Sequence, residues 1–201
     1  MTARPLRIMV VDEHRQRADA LARALTGLGY QVVGQVPPSG FLPQQVSDLD
    51  AEVILIDVDA PNRDTLEQVH AVSRQTPRPI VMLTPRDDPH LITEAIRAGV
   101  SAYVVDGLNH SRVKAVIDTA IAQFRRYQEL QSELERTRAS LNERKVIDRA
   151  KGVLMAHRGL TEPEAYRLLQ KMAMDRKMRI PEVARDIIEM SALFQPASRP
   201  Q

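Results

Sequence analysis

Three carboxylates are the residues best suited to chemistry in this 201-residue chain. Asp12 ends the apolar run "LRIMVVD", Glu13 follows it, and Asp57 sits at the close of "ILID" within "AEVILIDVD". If these runs are neighbouring strands, the acids converge, and clustered oxygen ligands suit a hard cation such as Mg2+. A second set is cationic. In "ERKVIDRAKGVLM" (143–155), Arg144, Lys145, Arg149 and Lys151 crowd beside Val146, Ile147, Val153 and Leu154, with Gly152 interrupting the helical pattern. That mixture predicts a helix with one buried face and one face offered to a polyanion. Other chemistries are excluded. There is no cysteine for disulfides or thiolate metal sites. His14, His70, His90, His110 and His157 lack ligand spacing. No nucleophile–base pair accompanies the acids, so metabolic enzyme activity is not expected.

The elements that position the acids alternate in type. Strands are predicted at 6–12, 30–36, 51–59, 79–84 and 101–105 from short apolar runs rich in Val and Ile. Between them lie helical patterns. Ala18, Leu21, Leu25 and Leu28 share one face and Gly29 ends that helix, residues 41–49 form a short one, and 65–75 and 90–99 form two more. Five strands alternating with helices predict a doubly wound parallel sheet, whose ligands bind at the carboxyl ends of the strands. Asp12, Asp57, Thr84 and Asp106 fall there.

From Ser111 the pattern becomes purely helical. Val113, Ile117, Ala120, Ile121 and Phe124 form a stripe that Tyr127, Leu130, Leu134 and Leu141 continue, and neither Gly nor Pro occurs between Leu108 and Gly152. A helix of this length has a middle that a small domain cannot cover, which predicts a coiled-coil dimer; a solvated linker helix is the alternative, since Thr137 and Arg138 interrupt the heptad. Val146, Ala150, Val153, Leu154 and His157 form a core stripe; Thr161 and Glu164 fit a capping box before a second helix lined by Ala165, Leu168, Leu169 and Met172; Val183, Ile187 and Ile188 line a third. Residues 195–201 read as a disordered tail.

Charge separates the halves. Residues 1–111 carry 10 Lys and Arg against 14 Asp and Glu, whereas residues 142–194 carry 11 against 8. The basic half is the candidate for nucleic acid. Aromatics are 3% of the chain and tryptophan is absent, which excludes a stacking platform and leaves recognition of shape and backbone by cations. No signal-peptide core and no apolar run of membrane-spanning length is seen, so a cytoplasmic protein without membrane contact is expected.

The first ~110 residues resemble a bacterial response-regulator receiver domain: "VVDEH" matches its acidic pair, "ILIDVD" its phosphoacceptor, "VMLTPRDD" its hydroxyl at Thr84 and "GVSAYVVDG" its switch aromatic at Tyr103. The resemblance implies that Asp57 accepts a phosphoryl group while Asp12, Glu13 and Asp57 hold Mg2+. One position departs: Asp106 stands where the family has a lysine that pairs with the phosphoryl oxygens. At ~4 Å and an effective dielectric of ~20, a unit-charge interaction is about 4 kcal/mol, so reversing its sign weighs against phosphotransfer. Two uses stay open: phosphorylation, or a pseudo-receiver that keeps only the shape.

Residues 141–190, with "AKGVLM", "GLTEPEAYRLLQKMAM" and "IPEVARDII" in order, resemble an ANTAR domain, the RNA-binding module of transcription antiterminators. This resemblance implies binding to tandem hairpins of leader RNA, as a homodimer when active, with RNA polymerase affected only indirectly. Carried onto matching positions it points to Arg144, Lys145, Arg149, Lys151 and Gly152, then to Lys171, Arg176 and Lys177. Ala150 and Met174 match the motif and are read as packing residues. The whole chain is similar to NasT-type antiterminators of nitrate and nitrite assimilation, which implies a nitrate-sensing partner protein. The expected organisation is a receiver-like domain (1–110), a coiled-coil linker (111–141), a small three-helix RNA-binding domain (142–194) and the tail (195–201). Two competing readings are a phosphorylation-controlled DNA-binding regulator and a signalling adaptor without nucleic acid.

Overall fold

A computed structural model describes residues 4–105 and 110–194, the side chains of 110, 111 and 192–194 excepted. Asp106 and the tail lie outside the described residues. The first five strands and four helices run β1 (Arg7–Asp12), α1 (Arg15–Gly27), β2 (Gln31–Val36), α2 (Leu42–Asp48), β3 (Val53–Asp57), α3 (Arg63–Gln75), β4 (Ile80–Thr84), α4 (Pro89–Ala98) and β5 (Ala102–Val105). The strands form one parallel sheet in the order β2-β1-β3-β4-β5. Asp12 pairs in register with Asp57, so the two acids end adjacent strands as the alternation predicts.

Period-2 alternation makes the two cores of this sheet. Met9, Val11, Ile54, Ile56, Ile80 and Met82 point to one face with residues of α2, α3 and α4. Ile8, Val10, Val53, Leu55, Val81 and Leu83 point to the other, against Ala18 and Leu25 of α1 and Val113, Ile117 and Ala120 of the next helix. With both faces covered, each central strand reads as an unbroken apolar run. Gly99 closes α4 at φ 116, a left-handed conformation that a side chain disfavours, and the backbone N–H groups of Gly99 and Val100 both return to the Ala95 carbonyl.

Helix α5 (His110–Arg158) is continuous over 49 residues. It passes through Gly152 unbroken, although glycine costs about 1 kcal/mol relative to alanine inside a helix. The chain divides into two compact units, residues 1–129 and 130–201, and α5 enters both. In the second unit α6 (Glu162–Arg176) and α7 (Ile180–Phe194) follow. Ala150, Leu154, Ala165, Leu169, Ala173, Val183, Ala184 and Ile187 form its core, with Val146, Ile147 and Val153 partly buried around it. His157 departs from the expected stripe: it is exposed, because it lies in the last turn of α5, beyond the cover of α6 and α7. The capping box at α6 forms as the spacing predicts. The Glu164 carboxylate accepts from the Thr161 backbone N–H at 2.8 Å and from the Thr161 hydroxyl at 2.7 Å.

Leu169 is fully buried at the centre of a small core. Leu169→Ala is expected to destabilise the second unit by about 2–5 kcal/mol, read as a lowered denaturation midpoint in urea.

Candidate functional sites

The acidic pocket is built at the carboxyl edge of β1 and β3. Asp12 is carried inward by the last residue of β1, and its side chain is fully shielded from solvent. Asp57 ends β3 and is partly buried. A charge in that position needs a partner. The partner is Arg17, in the first turn of α1. Its Nε and Nη2 donate to the two Asp12 carboxylate oxygens at 2.9 Å each, a bidentate pair. Nη1 donates to Asp59 at 2.5 Å, Nη2 reaches the Asp57 carbonyl at 3.2 Å, and Nε lies 3.4 Å from the Asp57 carboxylate. The guanidinium is held firmly protonated, chiefly by its hydrogen bond to Asp12. The hydrogen bond from Arg17 holds the Asp59 carboxyl below its ordinary range, whereas burial pushes Asp57 upward against the pull of Arg17.

Glu13 does not join Asp12 in the pocket. It is exposed and clusters instead with His14 and Asp59, their ligand atoms all within 4.8 Å. Asp12 also accepts from the His14 backbone N–H at 2.7 Å, so both of its oxygens are engaged. The donor set as it stands does not fit a Mg2+ ion, which requires close, nearly octahedral oxygen ligands. A guanidinium fills the approach to Asp12, and the ion would have to displace it.

The switch positions lie nearby. Thr84 is buried at the end of β4; its hydroxyl donates to the Asp59 carbonyl at 3.2 Å and accepts from the Arg86 backbone N–H at 3.1 Å. Tyr103 on β5 is partly buried against the α2–α4 face of the sheet, and its hydroxyl donates to the Arg86 carbonyl at 3.4 Å. Burial pushes its phenol pKa up.

The second site lies wholly in the second unit. Arg144, Lys145 and Arg149 are exposed on α5, as are Lys171 and Arg176 on α6 and Lys177 at its end, where φ is 53. Their ionic states differ. Lys151 is tied to Asp148 at 2.7 Å and to Glu162 at 2.6 Å, bridging α5 to the start of α6 with only 14% of its side chain exposed. These hydrogen bonds raise the Lys151 pKa and lower that of Asp148. Arg176 pairs with Asp186 at 3.5 Å. Among the described residues, Lys145, Arg149, Lys171 and Lys177 have no carboxylate within ion-pairing distance. Gly152 is exposed, and a Cβ added there would meet nothing of the chain itself within 4 Å. It lines an open groove with Arg144, Asp148, Lys151, Glu162 and Tyr166.

Met174 is not a packing residue. It is 79% exposed on the outer face of α6, opposite the buried Ala165, Leu169 and Ala173. Ala150 is fully buried, as a packing role requires.

Residues 8–118 match the family model of the response regulator receiver domain and residues 135–188 that of the ANTAR domain. The chain is an ANTAR-type response regulator. Transcriptional regulatory protein PdtaR of Mycobacterium tuberculosis is 29% identical over 185 residues, spanning 92% of this chain and 90% of that protein. The aliphatic amidase regulator of Pseudomonas aeruginosa is 27% identical, spanning 92% of each chain. The nitrate regulatory protein of Klebsiella oxytoca is 37% identical over 82 residues, 41% of this chain and 21% of that protein. The fold of the first unit is that of solved receivers. The receiver of a modulated diguanylate cyclase from Desulfovibrio desulfuricans superposes with a TM-score of 0.53 at 22% identity, covering 61% of this chain and 98% of that one. Chemotaxis protein CheY4 of Vibrio cholerae gives 0.52 at 22%, covering 58% and 99%. Both family models describe regulatory modules rather than enzymes. Among the described residues no helix is long and apolar enough to cross a membrane.

Removing Asp12 strips Arg17 of its bidentate partner. Asp12→Ala is expected to destabilise the receiver unit by about 1–3 kcal/mol, discounted because Arg17 is one-third exposed. Urea unfolding at neutral pH checks this.

Proposed function

We propose that this response regulator acts as an RNA-binding transcription antitermination factor. It would bind tandem hairpins of leader RNA and prevent formation of a terminator. The observation that carries the reading is the set of unpaired cations on the ANTAR unit, Lys145 and Arg149 on α5 with Lys171 and Lys177 on and after α6. Charges left exposed without an internal partner are available to phosphate groups. Arg144 extends the same set, and Arg176, although paired with Asp186, is exposed on the same unit. Gly152 leaves the α5 surface low, so a ribose, base or phosphate can approach the backbone beside it. Lys151, held by two carboxylates, positions α5 against α6 before it contacts RNA. Met174 offers a flexible apolar contact for a loop base, a role suited to its thioether.

Residues 1–110 are the regulatory part in this reading, 111–141 the linker and 142–194 the RNA-binding part. Leu130, Leu134 and Leu141 are exposed on α5 at spacings of four and seven, which supports pairing of two copies along this segment when the protein is active. The similarity to NasT-type antiterminators, together with the 82-residue match to a nitrate regulatory protein, supports nitrate and nitrite assimilation genes as the proposed targets and a nitrate-sensing partner as the proposed control of the receiver. Partner docking accommodates Asp106 in place of lysine, since it requires no phosphoryl group at Asp57.

Two measurements test this. Arg149→Ala is expected to weaken binding to a two-hairpin leader RNA roughly tenfold at physiological salt and to lower the salt slope by about one, with unfolding unchanged. Unaltered affinity, or equal affinity of the native chain for duplex DNA, would contradict the reading. Asp57→Ala is expected to retain most terminator readthrough in a transcription assay; complete loss would assign control to phosphorylation instead.

A further inference from the structure

We propose that Arg17 is the resident cation of the receiver pocket and shuts Mg2+ out of it. The inference concerns the first unit alone and stands or falls independently of RNA binding. Its basis is geometric. Five N–H donors in a planar fork match the oxygens that surround them. Two go to the shielded Asp12 carboxylate at 2.9 Å, one to Asp59 at 2.5 Å and one to the Asp57 carbonyl at 3.2 Å. Asp12 has its other demand met by the His14 backbone N–H. A metal entering between Asp12 and Asp57 would take the same lone pairs, and a cation admitted beside Arg17 would be repelled by it.

The placement of Arg17 on its helix points the same way. Arg15 and Arg17 both occupy the first turn of α1, which has no acid in that turn and no side-chain hydrogen bond at its N-cap. Positive side chains are unfavourable at a helix N-terminus. Arg17 overcomes this through Asp12, Asp57 and Asp59, which lie within its reach. The pocket thereby holds a cation supplied by the chain itself, one guanidinium reaching three carboxylates.

The test is calorimetric titration of the full chain with Mg2+ alone, at neutral pH and near-physiological salt. The native chain is expected to show no saturable binding that Asp12→Asn removes. Arg17→Gln is expected to bind Mg2+ with roughly tenfold or greater gain in affinity, and adding Asp12→Asn to Arg17→Gln should abolish that gain. Two results overturn the proposal: saturable Mg2+ binding by the native chain that Asp12→Asn removes, or a folded Arg17→Gln with no gain. Circular dichroism reports whether Arg17→Gln is folded; should it not be, the native and Asp12→Asn titrations decide alone.

Discussion

A charge withdrawn from water must find its opposite, and this constraint sets two groups of cations apart. Arg17 and Lys151 are drawn inward and saturated, the first by Asp12, Asp57 and Asp59, the second by Asp148 and Glu162. Lys145, Arg149, Lys171 and Lys177 stay in solvent with no such partner among the described residues. The paired cations hold elements together: Arg17 joins α1 to the ends of β1 and β3, and Lys151 joins α5 to α6. The unpaired ones are what the surface has left to offer. Architecture and recognition therefore draw on the same residue types, separated by whether a carboxylate lies within reach.

The apolar framework makes this sorting possible. The sheet presents alternate residues to two cores, so its carboxyl edge collects Asp12, Asp57 and Thr84 without disturbing either. Helix α5 contributes Val113, Ile117 and Ala120 to one of those cores and Ala150 and Leu154 to the core of the second unit. Burying one face of α5 in the second unit obliges its charged residues to take the other. The cationic surface and the apolar stripe in "ERKVIDRAKGVLM" are consequences of one helical period.

Most of this was legible in the residue pattern, since it depends on local periodicity. Strand runs ending in Asp12 and Asp57, the glycine that closes α4, and the core positions Ala150, Leu154, Leu169 and Val183 follow from spacing alone. What escaped were pairings set by tertiary approach. Arg17 lies five residues from Asp12 but 42 from Asp59, and nothing in spacing announces that one guanidinium spans both. The available signal was two arginines in a helical first turn just after an acidic pair. Asp12 and Glu13 stand side by side in the sequence, yet consecutive residues at a strand end point apart, and Glu13 faces solvent. Met174 matches the motif beside Ala173, yet Ala173 takes the inward position and neighbouring helix positions diverge by about 100°, which turns Met174 to solvent. Lys151 carries the same charge as Arg149; only its distance to Glu162 shows that it is spoken for.

In the proposed function the unpaired cations of the ANTAR unit grip structured RNA. Its most direct test is ultraviolet crosslinking of the purified chain to cellular transcripts, with the adducts mapped on both RNA and protein. Hairpin loops in transcript leaders should be enriched, with peptide adducts confined to the segments spanning residues 144–152 and 171–177. Adducts spread evenly over transcripts, or concentrated in the receiver unit, would contradict it.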